Sequence, residues 1–431
     1  MYIKREEPKQ MKQKGLNNFG AKGWWIVIFV GLLYLISSAT VDLLNVTPQL
    51  FQAVKGWDQN QLLVFSGIGG WVGVVLALVF GRWITAKGVK VPTVLALVLV
   101  AILFAVNGHV PSIATYGLVV VLITALGNTL NLVSTNTYMS NWFPKKKGIA
   151  LGWSTMGAPL SSAICIPIFT AVFGATHGLS APYMVFAVIT LVLALLAAFA
   201  VKSTPEEAGA YPDNDPEEAH APKISEYKST WSVPRLLTCK QMWLVSLSFG
   251  LLFIALVSTM TQFVPRVQAS GFTMEEGTLW LSIASVLGIL GSYLWGVLDQ
   301  KAGTKKAVVI FALYMAIMQF LLAIFIDSKT VTLILIILLG ILIGGICNLL
   351  PSMVIQIFGR YEFAAANSVV TPIVVAIRTS TFIIMPIILG ATQGSYQVLS
   401  VVLGVLSLIA FVLSLGLSNK TLDAPKPAAR R

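Results

Sequence analysis

The sequence predicts an all-α polytopic membrane protein with twelve transmembrane helices arranged as two six-helix bundles. Of its 431 residues, 56% are hydrophobic and 11% are charged, and the mean hydropathy is +0.83. Soluble domains carry about 25% charged residues. The apolar runs repeatedly reach the roughly 20 residues that cross a hydrocarbon core. An ordinary globular enzyme is therefore excluded.

The apolar runs, taken in chain order, form two sets of six. The predicted spans are 24–44, 61–81, 91–108, 114–137, 148–173 and 181–201, then 241–264, 277–298, 305–326, 331–354, 364–389 and 395–416. The start of the chain is too charged for a cleaved signal peptide, and the first apolar run is long enough to span. The predicted organisation is an N-tail (1–23), a first bundle (24–201), a linker (202–240), a second bundle (241–416) and a C-tail (417–431).

The basic residues predict the orientation in the membrane. If the N-terminus is cytoplasmic, 25 of the 29 Lys and Arg residues fall in cytoplasmic segments. Three lie in outer loops (Lys55, Arg266 and Lys329), and Arg378 alone lies inside a span. This asymmetry follows the positive-inside rule, so both termini are expected in the cytoplasm and the protein in the cell membrane. The net charge of +12 therefore reports topology, and the expected partner is the lipid bilayer rather than nucleic acid.

The sequence offers little for catalysis or metal binding. Three cysteines (Cys165, Cys239 and Cys347) and three histidines (His109, His177 and His220) are scattered without a recognisable spacing. A phosphate-binding loop of the G-x-x-x-x-G-K-[ST] type is also missing from the sequence. We expect neither an enzyme nor a cofactor, a metal site or ATP-driven transport.

The segment 202–240 differs sharply in composition from both bundles. It holds seven of the 17 acidic residues and five prolines, as in "STPEEAGAYPDNDPEEAHAP". This composition is typical of a solvated cytoplasmic linker. Two hypotheses remain for it: a flexible tether, or a segment that binds a partner.

The two bundles repeat each other at an offset of 215 residues. The matched positions are Gly56 and Gly271, Gly81 and Gly296, Gly88 and Gly303, Lys90 and Lys305, and Phe143 and Phe358. Asp58 and Thr273 occupy matching N-cap positions, and Thr273 has capping-box spacing to Glu276. Two parallel repeats predict a pseudo-two-fold axis along the membrane normal, with the substrate site between the halves near the midplane.

Loop residues resemble those of the major facilitator superfamily. "GRWITAKGVK" between spans 2 and 3 keeps Gly81, Gly88 and Lys90 of a G-x-x-x-D-R-x-G-R-R loop, with Thr85 in place of the aspartate. Its counterpart "GVLDQKAGTKK" keeps Gly296, Gly303 and Lys305, with Asp299 one place early. The resemblance covers the whole chain, and it implies the major facilitator fold, with these two loops taking part in conformational change.

Other stretches resemble the oxalate/formate antiporter and monocarboxylate transporter branch of that superfamily. They are "NWFPKKKGIALG" (141–152), "GGICNLLPSMVIQIFG" (344–359) and "LLTCKQMW". The sequence departs from the branch at the binding site: Ser292 and Val374 replace basic residues, and Ile343 and Cys347 replace aromatic ones. The branch's doubly basic, aromatic-walled dicarboxylate site is therefore not carried over.

Arg378, in "VVAIRTSTFII", is the strongest candidate for a substrate contact. It lies roughly 21 Å into span 11, near the middle of a roughly 30 Å core. It is one turn past Val374, in a helix that the resemblance places beside the cavity. The planar guanidinium suits bidentate binding of a carboxylate. The alternative is a structural arginine paired with a nearby carboxylate or a helix end.

Asp42 is the candidate coupling residue. It lies roughly 27 Å along span 1, towards the outer boundary, where a solvated carboxylate at a helix end is one interpretation. The other is an ion pair with Arg378 in one conformation, broken by substrate. Such a pair would couple transport to a proton or hold the amine of a zwitterionic substrate.

Neutral polar residues in the spans complete the candidate substrate site. They are Asn348, Asn131, Tyr34, Tyr293, Asn128, Gln262 and Trp153. Each has the alternative role of a contact between helices. Asn131 and Asn348 rank first, because they occupy nearly corresponding places in the two halves.

The predicted function is secondary active transport of a small organic anion, a monocarboxylate or related acid, by alternating access. Transport would be coupled to a proton or to exchange with a counter-anion, and a monomer is expected. Two alternatives remain open. One is a multidrug or metabolite efflux pump driven by proton antiport, which would favour a carboxylate in the cavity; the other is a non-transporting membrane receptor.

Overall fold

The computed structural model describes residues 17–143, 146–216, 230–359 and 362–422, and in these ranges the secondary structure is entirely helical. Twelve helices in the described residues are long and apolar enough to cross a membrane, as the sequence predicted. They are α1 (Gly20–Asn45), α2 (Gln59–Gly81), α3 (Lys90–Asn107), α4 (Ile113–Trp142), α5 (Gly148–Thr176), α6 (Ser180–Ala200), α7 (Lys240–Thr261), α8 (Met274–Ala302), α9 (Thr304–Ile324), α10 (Lys329–Phe358), α11 (Ala365–Ala391) and α12 (Tyr396–Leu415). Both described ends of the chain lie on one face, here called the terminal face, because the number of spans is even.

Five spans contain a break or a change of helix type. These are α1 (α-helix Gly20–Asp42, then a 3₁₀ turn Leu43–Asn45), α4 (Ile113–Thr129, a π turn Leu130–Ser134, then Thr135–Trp142), α5 (Lys147–Ser154 and Gly157–Thr176), α10 (Lys329–Leu339 and Leu342–Phe358) and α11 (Phe363–Thr379 and Thr381–Ala391). Short helices outside the spans are Thr47–Lys55, Glu206–Ala208, Pro212–Asn214, Val233–Thr238 and Phe263–Ala269.

The predicted repeat is visible in the ends of α2 and α8. Their α-helical segments, Gln59–Lys87 and Met274–Ala302, are both 29 residues long, and their bounds keep the 215-residue offset. Asp58 caps the first by accepting a bond from the Gln61 amide at 2.8 Å, and Thr273 caps the second through a capping box with Glu276. Both helices end at a glycine with positive φ, where a side chain would be strained. The predicted N-caps are therefore confirmed.

The two halves pack along two seams, α2 against α11 and α5 against α8. Small residues allow the close approach that helix packing in membranes requires. In the α5–α8 seam, the Ser282 hydroxyl donates to the Ala163 carbonyl at 3.3 Å. Nearby, a Cβ on Gly288 would lie 2.8 Å from the Pro159 side chain of α5 and 2.9 Å from the Gly340 carbonyl of α10. Gly288 is therefore a contact at which no larger side chain fits.

The beginning of the 202–240 linker is docked onto the first half. Asp213 is buried and accepts a hydrogen bond from the Lys146 amide at 2.8 Å. The Lys146 ammonium donates to the Asn18 carbonyl at 2.9 Å, and the Lys22 ammonium donates to the Gly209 carbonyl at 3.1 Å. This stretch is therefore held against the first bundle, because its acidic and carbonyl groups accept hydrogen bonds from donors of that bundle.

The end of the linker is anchored in the same way to the second half. Thr230 donates to Glu362 Oε1 through its amide at 2.9 Å and its hydroxyl at 2.7 Å. The Trp231 ring packs edge-on against Phe358 at 5.4 Å. Lys146 and Glu362 lie in corresponding loops, after α4 and after α10. Residues 217–229 of the predicted linker, like much of both predicted tails, lie outside the described residues.

We predict that Gly288→Leu destabilises the protein, because overpacking a tight contact costs about 1–3 kcal/mol. Thermal unfolding of the purified protein in detergent measures this as a lower Tm. The matched control is Gly174→Leu in α5, where a Cβ meets no atom within 4 Å. Equal Tm values for the two variants would contradict the assigned seam.

Candidate substrate site between the two halves

Arg378 connects the two halves of the protein. It lies in the last turn of the first segment of α11, and the helix breaks immediately afterwards at Ser380. Its Nη2 donates to Asn128 Oδ1 in α4, which belongs to the opposite half. The guanidinium also lies over the ring of Phe253 in α7, 5.5 Å from the ring centroid. Arg378 therefore occupies the interface where the sequence predicted the substrate site.

The surroundings of Arg378 are neutral. Among the described residues its partners are Asn128, Phe253 and the nearby Cys347 thiol, and none of them is a carboxylate. The side chain of Arg378 is partly buried, and a cation inside a membrane span without a counter-ion is costly. The carbonyl end of the first α11 segment carries a partial negative charge and offsets part of this cost. A structural role for Arg378 could involve a carboxylate or a helix end. The described part of the chain shows the helix end beside Arg378 and no carboxylate partner.

Asn128 and Asn131 lie at an irregular part of α4. The π turn Leu130–Ser134 begins two residues after Asn128 and contains Asn131. Such turns are frequent at functional sites, because the extra residue changes the direction of side chains. Asn131 Nδ2 donates to the Ser37 hydroxyl of α1 at 2.9 Å, whereas Asn128 accepts from Arg378. The two amides therefore face different helices.

Tyr34 extends this group towards α1 and α10. Its side chain is 2% exposed, and its hydroxyl faces Thr135 of α4 and the Cys347 thiol of α10. Cys347 also neighbours Arg378. We call Tyr34, Asn128, Asn131, Cys347 and Arg378 the central polar cluster. It brings together four helices, two from each half.

Two contacts of this cluster were missed by sequence reasoning. Phe253 is one of many apolar residues of α7, and periodicity alone does not indicate that it stacks on Arg378. Cys347 stands at a position where the resembling branch has an aromatic side chain. That departure was a signal, although it did not identify Cys347 as a neighbour of both Tyr34 and Arg378.

Asn348 lies on the terminal side of the cluster, where α5, α8 and α10 meet. Its amide nitrogen is 3.0 Å from a Cβ built on Gly296 and 3.8 Å from one built on Gly152. The side chain is fully buried, yet both of its amide atoms lack a hydrogen-bond partner. Burying an unsatisfied polar group costs about 1–3 kcal/mol. Asn348 is thus available for a further hydrogen bond between the halves.

Trp153 and Tyr293 make their ring contacts and hydrogen bonds with residues outside the central polar cluster. The Trp153 ring packs 5.6 Å from Trp24 and 6.2 Å from Tyr293, and its indole nitrogen donates to Asn17 at 3.1 Å. The Tyr293 side chain is 47% exposed. These two residues form an aromatic contact between the halves near the terminal face. The sequence gives the depth of a residue along its helix only coarsely. It therefore grouped Trp153 and Tyr293 with Arg378, although they lie nearer to the terminal face.

Gln262 lies on the opposite face, in the wall of a cavity of about 250 Å³. It accepts a hydrogen bond from the Tyr396 hydroxyl at 3.0 Å. Other amides line the same cavity, among them Asn45, Gln49 and Asn60. The structure therefore places this predicted residue in an uncharged polar vestibule rather than in the central polar cluster.

Arg266 was expected in an outer loop, but the structure buries it beside this vestibule. Its side chain is 2% exposed, lies 5.6 Å from the Tyr396 ring centroid and donates to the Leu322 carbonyl at 3.5 Å. Burial disfavours the cation and lowers the pKa of Arg266 to about 10, so it remains charged at neutral pH. Leu322 is in the last turn of α9, whose carbonyl end attracts a cation.

Asp42 faces α5 in this conformation, where its carboxylate lies beside the hydroxyls of Ser161 and Ser162. Arg378 meanwhile contacts Asn128. Asp42 and Arg378, both of which the structure describes, do not form the hypothesised ion pair in this conformation. Its formation in another conformation stays a prediction.

The loop residues carried over from the resemblance lie at helix ends. Gly88 and Gly303 end the α2 and α8 helices with φ of 78° and 91°, and the Gly303 amide donates to the Asp299 carbonyl at 3.0 Å. Lys90 and Lys305 lie in the first turns of α3 and α9. Gly81 lies within the continuous α2 helix, and Gly296 faces Asn348. Their role in conformational change stays a prediction.

Comparisons with known proteins agree with this architecture. The Major Facilitator Superfamily profile matches residues 27–381. The proton:xylose symporter XylE, bound to 6-bromo-6-deoxy-D-glucose, superposes with a TM-score of 0.74 at 14% identity, over 93% of this chain and 98% of XylE. A variant of the E. coli fucose:proton symporter FucP superposes with a TM-score of 0.62 at 15% identity, over 92% of this chain and 98% of FucP. The sequence matches no curated protein.

At these identities the solved structures support the fold alone, whereas the profile covers most of the chain. Twelve membrane-spanning helices complete the assignment. The chain therefore belongs to the Major Facilitator Superfamily and is a multi-pass membrane transporter.

Proposed function

We propose that the protein is a secondary active transporter that moves a small organic anion, a monocarboxylate or related acid, across the cell membrane by alternating access. One observation carries the proposal. The guanidinium of Arg378 is partly buried at the contact between the halves and, among the described residues, has only neutral partners. An anionic substrate would supply the missing negative charge.

The contacts of Arg378 suit reversible binding of a carboxylate. Arginine presents several N–H donors in a planar fork, and its Asn128 bond uses Nη2. Phe253 lies against the guanidinium and restricts its orientation. A carboxylate accepting two parallel hydrogen bonds would replace one bond to a neutral amide with two charge-assisted ones. This exchange favours substrate over the Asn128 contact.

The position between the halves suits alternating access. Arg378 belongs to the second half and Asn128 to the first, so a substrate bound there contacts both. Asn348, with its unpartnered amide near Gly152 of the first half, offers a further polar contact towards the terminal face. Transport would be coupled to a proton or to exchange against a counter-anion. Following the charge asymmetry, we place both termini in the cytoplasm and expect a monomer.

A neutral, hydroxylated substrate is the second candidate. The vestibule on the opposite face is lined by amides of Asn45, Gln49, Gln59, Asn60 and Gln262, and no charged side chain among the described residues lines it. Amides donate and accept hydrogen bonds with hydroxyl groups. The two solved structures described above are of sugar:proton symporters. An efflux pump for cationic compounds receives less support, because the central polar cluster carries a cation and no carboxylate.

We predict that Arg378→Gln abolishes exchange of the transported acid. Proteoliposomes preloaded with unlabelled acid and supplied with labelled formate, lactate, oxalate, an aromatic acid or a sulfonate measure counterflow. Removing one partner of a buried charge pair costs about 2–5 kcal/mol, so affinity should fall at least about thirtyfold. Arg378→Lys retains the charge without the fork and should be intermediate.

The matched control is Arg266→Gln, which removes a buried arginine whose partners, Tyr396 and Leu322, both belong to the second half. Size-exclusion profiles and Tm values identify variants that fail to fold. If Arg378→Gln exchanges an acid as well as wild type does, Arg378 is structural. If labelled xylose or fucose is exchanged and no acid is, the neutral-substrate candidate replaces the anion.

We predict that Asn128→Asp also abolishes transport while preserving or raising Tm. The new carboxylate would neutralise Arg378 and join the halves by a buried ion pair, whose separation is costly. Counterflow and thermal unfolding are measured on the same preparation. The control Asn136→Asp places the same charge in α4, where the amide of Asn136 bonds within its own helix. Wild-type transport by Asn128→Asp would show that the Arg378–Asn128 contact does not open during the cycle.

A further inference from the structure

Asp42 lies where the α-helical part of α1 stops within the span. The α-helix ends at Asp42, and the 3₁₀ turn Leu43–Asn45 follows. The carboxylate faces the hydroxyls of Ser161 and Ser162 in α5. Asp42 Oδ2 and Ser161 Oγ are nevertheless buried without a hydrogen-bond partner. Two oxygens at one place thus have unused capacity to bind a ligand.

A third unsatisfied oxygen lies on the same turn. Asn45 is 2% exposed, and its Nδ2 donates to the Asp42 carbonyl at 3.0 Å. Asn45 Oδ1 has no partner. Buried polar groups normally have hydrogen-bond partners. Three unsatisfied oxygens, on Asp42, Asn45 and the facing Ser161, are therefore unusual. All of them are acceptors that a cation would satisfy.

The electrostatic setting also favours a cation. The carbonyl end of an α-helix carries about half a negative charge, and this end coincides with the Asp42 carboxylate. Among the described residues no lysine or arginine forms an ion pair with Asp42. An unpaired carboxylate in the membrane region costs several kcal/mol unless a proton or a metal ion neutralises it. A single positive charge would neutralise the Asp42 carboxylate.

We propose that Asp42, Ser161, Ser162 and Asn45 form a binding site for a monovalent metal ion, with Na⁺ as its occupant. The donors are hard oxygens, which suit alkali and alkaline-earth ions rather than soft metals. One carboxylate matches a single positive charge, whereas Ca²⁺ sites gather several charged ligands. Interrupted helices whose carbonyl ends coordinate a coupling ion recur in secondary transporters.

The ion would contribute to transport by balancing the charge of the substrate. The helix α1 carries both Asp42 and Tyr34 of the central polar cluster. Ion binding at Asp42 would therefore also fix the position of Tyr34. This role rests on the proposed anion transport. Ion binding itself does not, since none of its donors belongs to the central polar cluster.

The test is thermal unfolding of the purified full-length protein without any organic acid. Samples in NaCl are compared with samples in choline chloride at equal ionic strength and pH. A ligand that binds only the folded state raises Tm with the logarithm of its concentration. We expect Na⁺ to raise Tm in wild type and in Arg378→Gln, which keeps the ion site. The shift should vanish in Asp42→Asn, and in Ser161→Ala it should require a severalfold higher Na⁺ concentration.

Ser285→Ala is the control for loss of a buried hydroxyl, because Ser285 in α8 is equally buried and bonds within its own helix at 2.8 Å. Sodium-dependent stabilisation that persists in Asp42→Asn would place the ion elsewhere and overturn the proposal. A wild-type Tm indifferent to Na⁺ would do so as well and would leave a proton as the partner of Asp42. Loss of acid transport in Arg378→Gln with the sodium effect retained would separate the two proposals.

Discussion

The uncompensated charge of Arg378 is the constraint on which the centre of the structure depends. In a low-dielectric region a guanidinium cannot be left without hydrogen-bond acceptors, and water is scarce there. Asn128 supplies one acceptor from the opposite half, Phe253 supplies a π face, and the carbonyl end of the first α11 segment supplies a partial negative charge. None of these partners carries a formal charge. The arrangement therefore tolerates the cation but leaves its charge free to attract an anion.

Irregular backbone recurs beside the polar residues of the spans. The helical segments change at the end of α1, at the π turn of α4 and at the break of α11, and each of these lies beside a polar residue discussed above. Non-helical backbone within a membrane is tolerated only where protein or a polar cavity surrounds it. These interruptions therefore lie inside the bundle, where the freed carbonyls and the altered side-chain directions create the polar sites. Regular helix elsewhere presents its apolar side chains to the lipid.

Hydropathy was sufficient to predict the spans, because it depends on local composition, and the 215-residue offset predicted which spans correspond in the two halves. The caps at Asp58 and Thr273 were also predictable, since capping involves residues three positions apart. The partners of Arg378 were not, because Asn128 is 250 residues away and the contact depends on how the halves pack. The burial of Arg266 likewise depends on α9 and α12. Depth along a helix could be estimated only coarsely, and the direction of each side chain could not be predicted.

The linker shows how far composition alone can mislead. Acidic residues and prolines indicated solvation, yet Asp213 is buried and adopts a positive φ of 56° at the Lys146 contact. Its two ends are held by corresponding loops of the two halves, through Lys146 and Glu362. The described ends of the linker therefore contribute hydrogen bonds to the terminal face of each half separately.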